Sequence, residues 1–280
     1  MKTKIIIGTA NFLSKYGLNK NYVNQKELIS IRKYLKEKNT IFDTSFNYKN
    51  LDKILKLFKN INSNYIIKIS LNKKNENRLE KIFSDIKEKY KIKKKFYAIL
   101  LHNSNILKTK SGVEAFKKLY KLKKKNYVNK VGISTYGYEN IVSLQRKKIK
   151  FDIIQTNGNI LDNRFFNFLK KNKNLRSKEI HIRSIFLQGL LLKKKIPKKF
   201  EKISKTFKDL NRLSKDLDIN ILQLLIQHVY KQKVNGLVFG IKNKKELEKI
   251  FDSMAVMPKF KNPKFNFDRV QNSLIDPRKW

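Results

Sequence analysis

The chain has 280 residues of which 40% are hydrophobic, enough for one large buried core, and it has no cysteine, which excludes disulfides, thiol catalysis and thiolate metal sites. Its 66 Lys+Arg against 22 Asp+Glu give a formal net charge of +44, a balance that raises nucleic acid or an anionic membrane surface as a partner. The lysines lie along the whole chain beside abundant Asn and Ile, which share codons made of A and T alone, so coding bias is the simpler source of the charge, and no aromatic-interleaved RNA motif or basic helix accompanies it.

In chain order, the opening Lys4-Ile5-Ile6-Ile7 has the positive start and apolar run of a signal peptide. The run breaks at Gly8 and soon meets Asn11, Ser14 and Lys15, so it reads as a first strand. Short β-branched or aromatic runs then alternate with longer Lys-rich segments whose apolar residues recur every three or four positions. The predicted strands are 4 to 7, 40 to 43, 64 to 69, 96 to 101, 128 to 133, 151 to 154, 179 to 184 and 234 to 239, with helices between them. The connection after the seventh strand is the longest. It holds two predicted helices, 201 to 216 and 220 to 231, split at Asp218-Ile219-Asn220, and one more helix begins near Asn243. Eight such units predict a parallel sheet closed into a (β/α)8 TIM barrel, a single domain over residues 1–280 with an extra helix after strand seven and a short C-terminal tail. There is no longer repeat, no Pro/Gly/Ser-rich linker and no compositional break. No apolar run approaches the ~20 residues of a membrane helix. The expectation is a soluble, cytoplasmic protein, a monomer or weak homo-oligomer.

In such a barrel the loops after the C-terminal strand ends build the active site. Asp43 and Tyr48 stand five positions apart where the second strand runs out, Lys68 closes the third, and His102 follows the fourth. This set has the sense of general acid catalysis. A phenol, with an ordinary pKa of about 10, serves as an acid near neutrality when an ammonium beside it favours phenolate. A carboxylate holds that ammonium, and an imidazole steers a carbonyl oxygen. Singly, each residue has a plain explanation as a turn, packing or solvated side chain; together, at successive strand ends, they point to a site. The other histidines, His181 and His228, show no paired metal-ligand spacing, and no metal is predicted.

The motifs Phe-Asp-Thr-x-x-x-Tyr, from Phe42 to Tyr48, and Leu-Leu-His, from Leu100 to His102, resemble those of the aldo-keto reductase family, and the resemblance covers nearly the whole chain. The look is closest to bacterial members linked to surface-polysaccharide or sugar metabolism. What the resemblance implies is NADPH-dependent reduction of an aldehyde or ketone, sugar-derived carbonyls included, with Tyr48 as general acid. The implied cofactor is NADP(H) and the partner a small carbonyl substrate, without specific nucleic acid or membrane. Val131 to Tyr136 and Ile154 to Asn159 resemble the carboxamide-binding motifs and nominate Ser134, Thr135 and Gln155, Thr135 standing for the usual asparagine. Arg183 to Leu191 looks like the pyrophosphate loop and nominates Ser184, Leu187 and Gly189; Arg183 stands where many relatives set a tyrosine against the nicotinamide, and a planar guanidinium can stack as well.

After strand eight, Gly240, Lys242 and Lys244 fall where relatives hold the adenosine 2′-phosphate, at a helix start whose free amides and dipole favour an anion, with Glu246 near the place of a clamping arginine. Tyr48-Lys49-Asn50-Leu51-Asp52 replaces the family's Tyr-Gly-x-Ser-Glu, so the placement of Tyr48 without that glycine is open. The N-terminal hairpin of many relatives is not seen, and Phe260, Phe265, Phe267 and Trp280 are candidates to cover the mouth. A cofactor-holding barrel that acts as a non-catalytic regulatory or binding subunit is the alternative reading.

Overall fold

The isoleucine- and phenylalanine-rich runs are apolar on both faces, which suits strands covered by helices outside and by each other's side chains inside. A computed structural model of the chain describes residues 3–18, 22–59, 61–257 and 272–280. The strands are β1 (Lys4–Gly8), β2 (Thr40–Ser45), β3 (Ser63–Ile69), β4 (Phe96–Leu101), β5 (Val128–Thr135), β6 (Ile153–Asn157), β7 (Glu179–Arg183) and β8 (Gly236–Gly240). They pair in parallel in chain order, and β1 also pairs with β8, which closes the barrel.

Helices α1 (Gln25–Leu35), α2 (Leu51–Phe58), α3 (Leu79–Lys89), α4 (Lys110–Lys124), α5 (Glu139–Arg146) and α6 (Arg164–Lys171) follow the first six strands in turn. The pair α7 (Ser204–Asp216) and α8 (Ile221–Tyr230) follows β7, α9 (Lys244–Val256) follows β8, and the short α10 (Asn272–Ile275) stands near the end. Each long helix buries one apolar stripe, such as Leu28, Ile31 and Leu35 of α1, against the outer face of the barrel. Between α7 and α8 the chain turns at Asp218, whose φ is 49°, and α8 starts on a capping box formed by Asn220 and Gln223. Among the described residues no helix is long and apolar enough to cross a membrane.

Inside, Ile6, Ile41, Ile66, Ala98, Leu100, Ile153 and Val238 pack together. At the N-terminal end of the barrel the filling is ionic: Glu179 accepts from Lys4, Tyr97, Lys130 and His181 Nε2. His181 is fully buried and fits because Gly236 faces it; a Cβ there would lie 2.7 Å from His181 Cδ2. His228 Nε2 donates to Asn163 Oδ1 at 2.7 Å. Both histidines are thus engaged in hydrogen bonds within the packed structure.

Several boundaries differ from the sequence expectation. β2 and β5 each run two residues further, and β6 lies two to three residues later, so Ser134, Thr135 and Gln155 sit within the ladder instead of after it, and Asp43 lies inside β2 instead of at its last position. The backbone goes on pairing although the side chains turn polar, Ser45 opposite Lys68 and Ser134 opposite Gln155. β7 stops at Arg183 because Ser184 takes a φ of 61°. β8 begins late because the Asn235 side chain accepts the Ile180 N–H at 2.7 Å ahead of it.

Candidate active site

Asp43 and Lys68 lie on neighbouring strands at the same end of the barrel, and Lys68 Nζ donates to Asp43 Oδ2 at 2.7 Å with 6% and 3% of the two side chains exposed. Burial works against an ammonium. The Asp43 carboxylate and the Tyr48 phenol outweigh it and push the Lys68 pKa up to about 12, which makes this group a fixed cation. The second carboxylate oxygen, Asp43 Oδ1, is buried without a hydrogen-bond partner. Tyr48 follows β2 on a tight loop, half-buried, and Lys68 Nζ stands 5.7 Å from its ring centre. The loop is held by the Tyr48 N–H on Ser45 O at 3.0 Å and by the buried Asn50 amide, which donates to Thr9 O at 3.0 Å and to Phe12 O. Lys49 does not adopt a positive φ, so this loop backbone does not require a glycine after Tyr48.

His102 follows β4, its N–H donating to Ile69 O at 2.8 Å, and its Nδ1 lies 3.4 Å from Ser45 Oγ. Burial first, then the Lys68 ammonium, hold its pKa down at about 4 against the opposite pull of Asp43. The ring is neutral near pH 7 and keeps one N–H to donate. The four groups expected to act together are thus brought together.

Two cavities meet on them. The smaller, about 170 Å³, runs from Asp43 past Ser184 and Gly189 to Gly240, Lys242 and Glu246. The larger, about 460 Å³, extends from His102 over Asn103, Ser134 and Tyr136 to Arg278. Tyr16, Tyr48, Lys68 and Arg183 line both.

The smaller cavity has the features an extended phosphorylated ligand needs. Ser184, Leu187, Gln188 and Gly189 all have positive φ, between 48° and 84°. A non-glycine residue so placed costs on the order of 1 kcal/mol or more, and such strain persists where buried neighbours over-determine it, as the fully buried Leu187 does here. A Cβ on Gly189 or Gly240 would meet no protein atom within 4 Å, so both border open space. On the wall of the larger cavity Ser134 Oγ donates to the buried Gln155 Oε1 at 3.5 Å, and Gln155 Nε2 is a buried donor without a partner, which suits a carboxamide. These observations fit a nicotinamide dinucleotide.

Three expectations are met differently. The Thr135 hydroxyl donates to Gly137 O at 2.9 Å and accepts from Asn140 Nδ2 at 3.4 Å, so it braces its own loop. Three of the amides expected to be free around the start of α9 are taken. Lys242 N–H donates to Glu246 Oε2 at 2.6 Å, Glu246 N–H to Asn243 Oδ1 at 2.8 Å, and Lys244 N–H to Glu27 Oε2 at 3.5 Å. Trp280 packs edge-on against Phe200, ring centres 4.8 Å apart, and it is Asp276 and Arg278 that reach the larger cavity. Phe260, Phe265 and Phe267 lie outside the described residues. Tyr16, Ser45, Tyr136 and Arg278 belong to the site without having been singled out. Ser45 and Tyr136 had a signal, since both flank strand ends already under suspicion.

The Aldo/keto reductase family model matches residues 4–265 of the chain. No curated protein matches it by sequence. Its fold is similar to that of the holo form of an aldo-keto reductase from Bacillus halodurans, at 16% identity over 89% of this chain and 86% of that one, with a TM-score of 0.67. It is also similar to an aldo/keto reductase from Klebsiella pneumoniae in complex with NADP and acetate, at 13% identity over 96% and 95%, TM-score 0.66. The glycerol dehydrogenase from Gluconobacter oxydans is a third such structure, at 14% identity over 94% and 95%, TM-score 0.60. At these identities the likeness shows the fold.

Proposed function

The chain belongs to the aldo/keto reductase family, and from that premise we propose that it reduces an aldehyde or ketone, sugar-derived carbonyls included, with Tyr48 as the general acid and NADP(H) as the cofactor. Membership makes it an oxidoreductase of carbonyl compounds, in a family that typically uses NAD(P)H. The observation that carries the finer reading is the buried Lys68–Asp43 pair beside Tyr48, where the two cavities join. When bound, the dinucleotide supplies the hydride to the carbonyl carbon. Tyr48 gives its phenolic proton to the carbonyl oxygen, and the Lys68 ammonium stabilises the phenolate left behind. Asp43 keeps that ammonium charged and in place. The neutral His102 ring donates its N–H to the carbonyl oxygen and aligns it with the phenol.

On the cofactor side Ser134 and Gln155 would hold the carboxamide, the strained turn from Ser184 to Gly189 would pass the pyrophosphate, and Gly240 leaves room beside it. Lys242 and Lys244 would receive the adenosine 2′-phosphate, in competition with the Glu246 carboxylate for the Lys242 amide. The test is NADPH oxidation by the purified chain with a panel of aldehydes, ketones and keto-sugars. Turnover of at least one carbonyl is expected; binding of NADPH with no turnover across the panel would favour a regulatory barrel instead.

A further inference from the structure

The chemistry of the larger cavity narrows the substrate. No aliphatic side chain lines it; apart from Gly137, tyrosine rings and the His102 imidazole its wall is made of amides, hydroxyls and ionic groups. An apolar aldehyde there would strip water from polar groups and return nothing, whereas a hydroxylated compound replaces those bonds.

Charge narrows it further. Lys68 is answered by Asp43 at 2.7 Å, Arg278 by both oxygens of Asp276 at 2.9 and 2.6 Å, and Arg164 by both oxygens of Asp162 at 2.7 and 2.8 Å. Arg183 is different. Among the described residues no carboxylate pairs with it, and its N–H groups reach only Thr135 O at 3.2 Å and Ser184 Oγ at 3.5 Å. Glu139, the remaining carboxylate on the wall, is exposed and acts on Arg164. The half-buried Arg183 guanidinium lies 3.9 Å from the centre of the Tyr136 ring, a stacking that fixes its plane and spares its edge donors. The same unanswered charge works against the protons on Lys68 and His102, so it is felt where a carbonyl would be polarised.

Resting on the carbonyl-reductase reading above, we propose that the substrate is a hydroxylated carbonyl compound bearing an oxyanion, a carboxylate or a phosphate, and that this oxyanion pairs with Arg183. A planar fork with free donors on a fixed plane matches either oxyanion two bonds at a time.

The test is calorimetric titration of the full chain, with and without NADP+, using D-glucuronate, D-glucose 6-phosphate and D-glucose. The two anionic arms separate carboxylate from phosphate. At least one anion is expected to bind about tenfold or more tightly than D-glucose, about 1.4 kcal/mol. Arg183→Gln should remove that advantage, Arg183→Lys should keep part of it, and the affinity for NADP+ should change less than the affinity for the anion. Equal binding of all three sugars by the parental chain overturns the proposal whether or not the variants fold. So does an Arg183→Gln loss confined to NADP+, which would assign the guanidinium to the cofactor's own pyrophosphate. Anion-selective binding by a chain that reduces no carbonyl would sink the reductase reading and leave the oxyanion site standing. Reduction of neutral carbonyls with no anion advantage would do the reverse.

Discussion

Replacing Asp43 by asparagine keeps the shape of the site floor and removes its negative charge. Lys68 Nζ is 2.7 Å from Asp43 Oδ2, and both side chains are almost wholly out of water. Burial alone would lower the Lys68 pKa; the carboxylate, with Tyr48, instead lifts it from 10.5 to about 12, which corresponds to about 2 kcal/mol in favour of the charged folded form. Asp43→Asn cancels that gain and leaves an ammonium buried without a counter-charge, and breaking a buried pair from one side typically costs about 3–5 kcal/mol. Lys68 limits the damage by shedding its proton, so the expected loss is about 3 kcal/mol near neutral pH, read from urea midpoints at unchanged slope.

The sign of the pH dependence follows from a folded pKa above the unfolded one. The stabilisation is complete below about pH 10.5 and fades as pH rises through about 12, so the gap between parent and variant should close over that window. The double variant Asp43→Asn/Lys68→Met carries neither charge and should recover at least half of the loss. Parent and Asp43→Asn midpoints equivalent within about 0.5 kcal/mol, or a double variant no more stable than the single, would refute the ion pair as the element that organises the site.

Folded His102 and His228 are held at about 4 and about 3, so as pH falls below about 6.5 the unfolded chain takes up protons that these rings decline, and stability drops. Urea midpoints between neutral pH and about pH 4 should fall for the parent and fall less for His102→Gln. Replacing Lys242 and Lys244 together with alanine should raise the KM for NADPH about tenfold and leave NADH nearly unchanged. Glu246→Gln should lower the NADPH dissociation constant several-fold, because the competing carboxylate charge is gone; equal use of both cofactors by the parent would count against the 2′-phosphate assignment. Gly236→Ala would bring a Cβ within 2.6 Å of Ile6 Cδ1 and 2.7 Å of His181 Cδ2, and should cost about 1–3 kcal/mol of stability with the KM for NADPH unmoved.

The barrel was legible in the sequence because its strands are apolar on both faces and its helices are periodic, so both periods stand out even in so lysine-rich a chain. What blurred the strand ends was polarity at the mouth: Asp43, Ser45, Ser134 and Gln155 interrupt the apolar pattern while the ladder continues beneath them. The quartet of Asp43, Tyr48, Lys68 and His102 could be assembled because each lies near or just beyond the C-terminal end of a strand, and parallel closure carries all such ends to one mouth. The turn from Ser184 to Gly189 hid its strain, since serine, leucine and glutamine give no local sign of a left-handed backbone. Arg278 and Tyr16 join the site through contacts distant in sequence, which no local pattern reports. The occupied amides at α9 were readable and misjudged: Asn243 and Glu246 have the three-residue spacing of a capping pair, a sign that the first turn supplies its own acceptors.

Whether Tyr48 donates the proton is decided by comparing carbonyl-dependent NADPH oxidation by the parent and by Tyr48→Phe while NADPH binding is followed separately by fluorescence. Tyr48→Phe should lower kcat at least about a hundredfold with the NADPH dissociation constant changed no more than about threefold, because the hydroxyl moves a proton and does not hold the dinucleotide. Turnover by Tyr48→Phe at the parental rate would contradict that role.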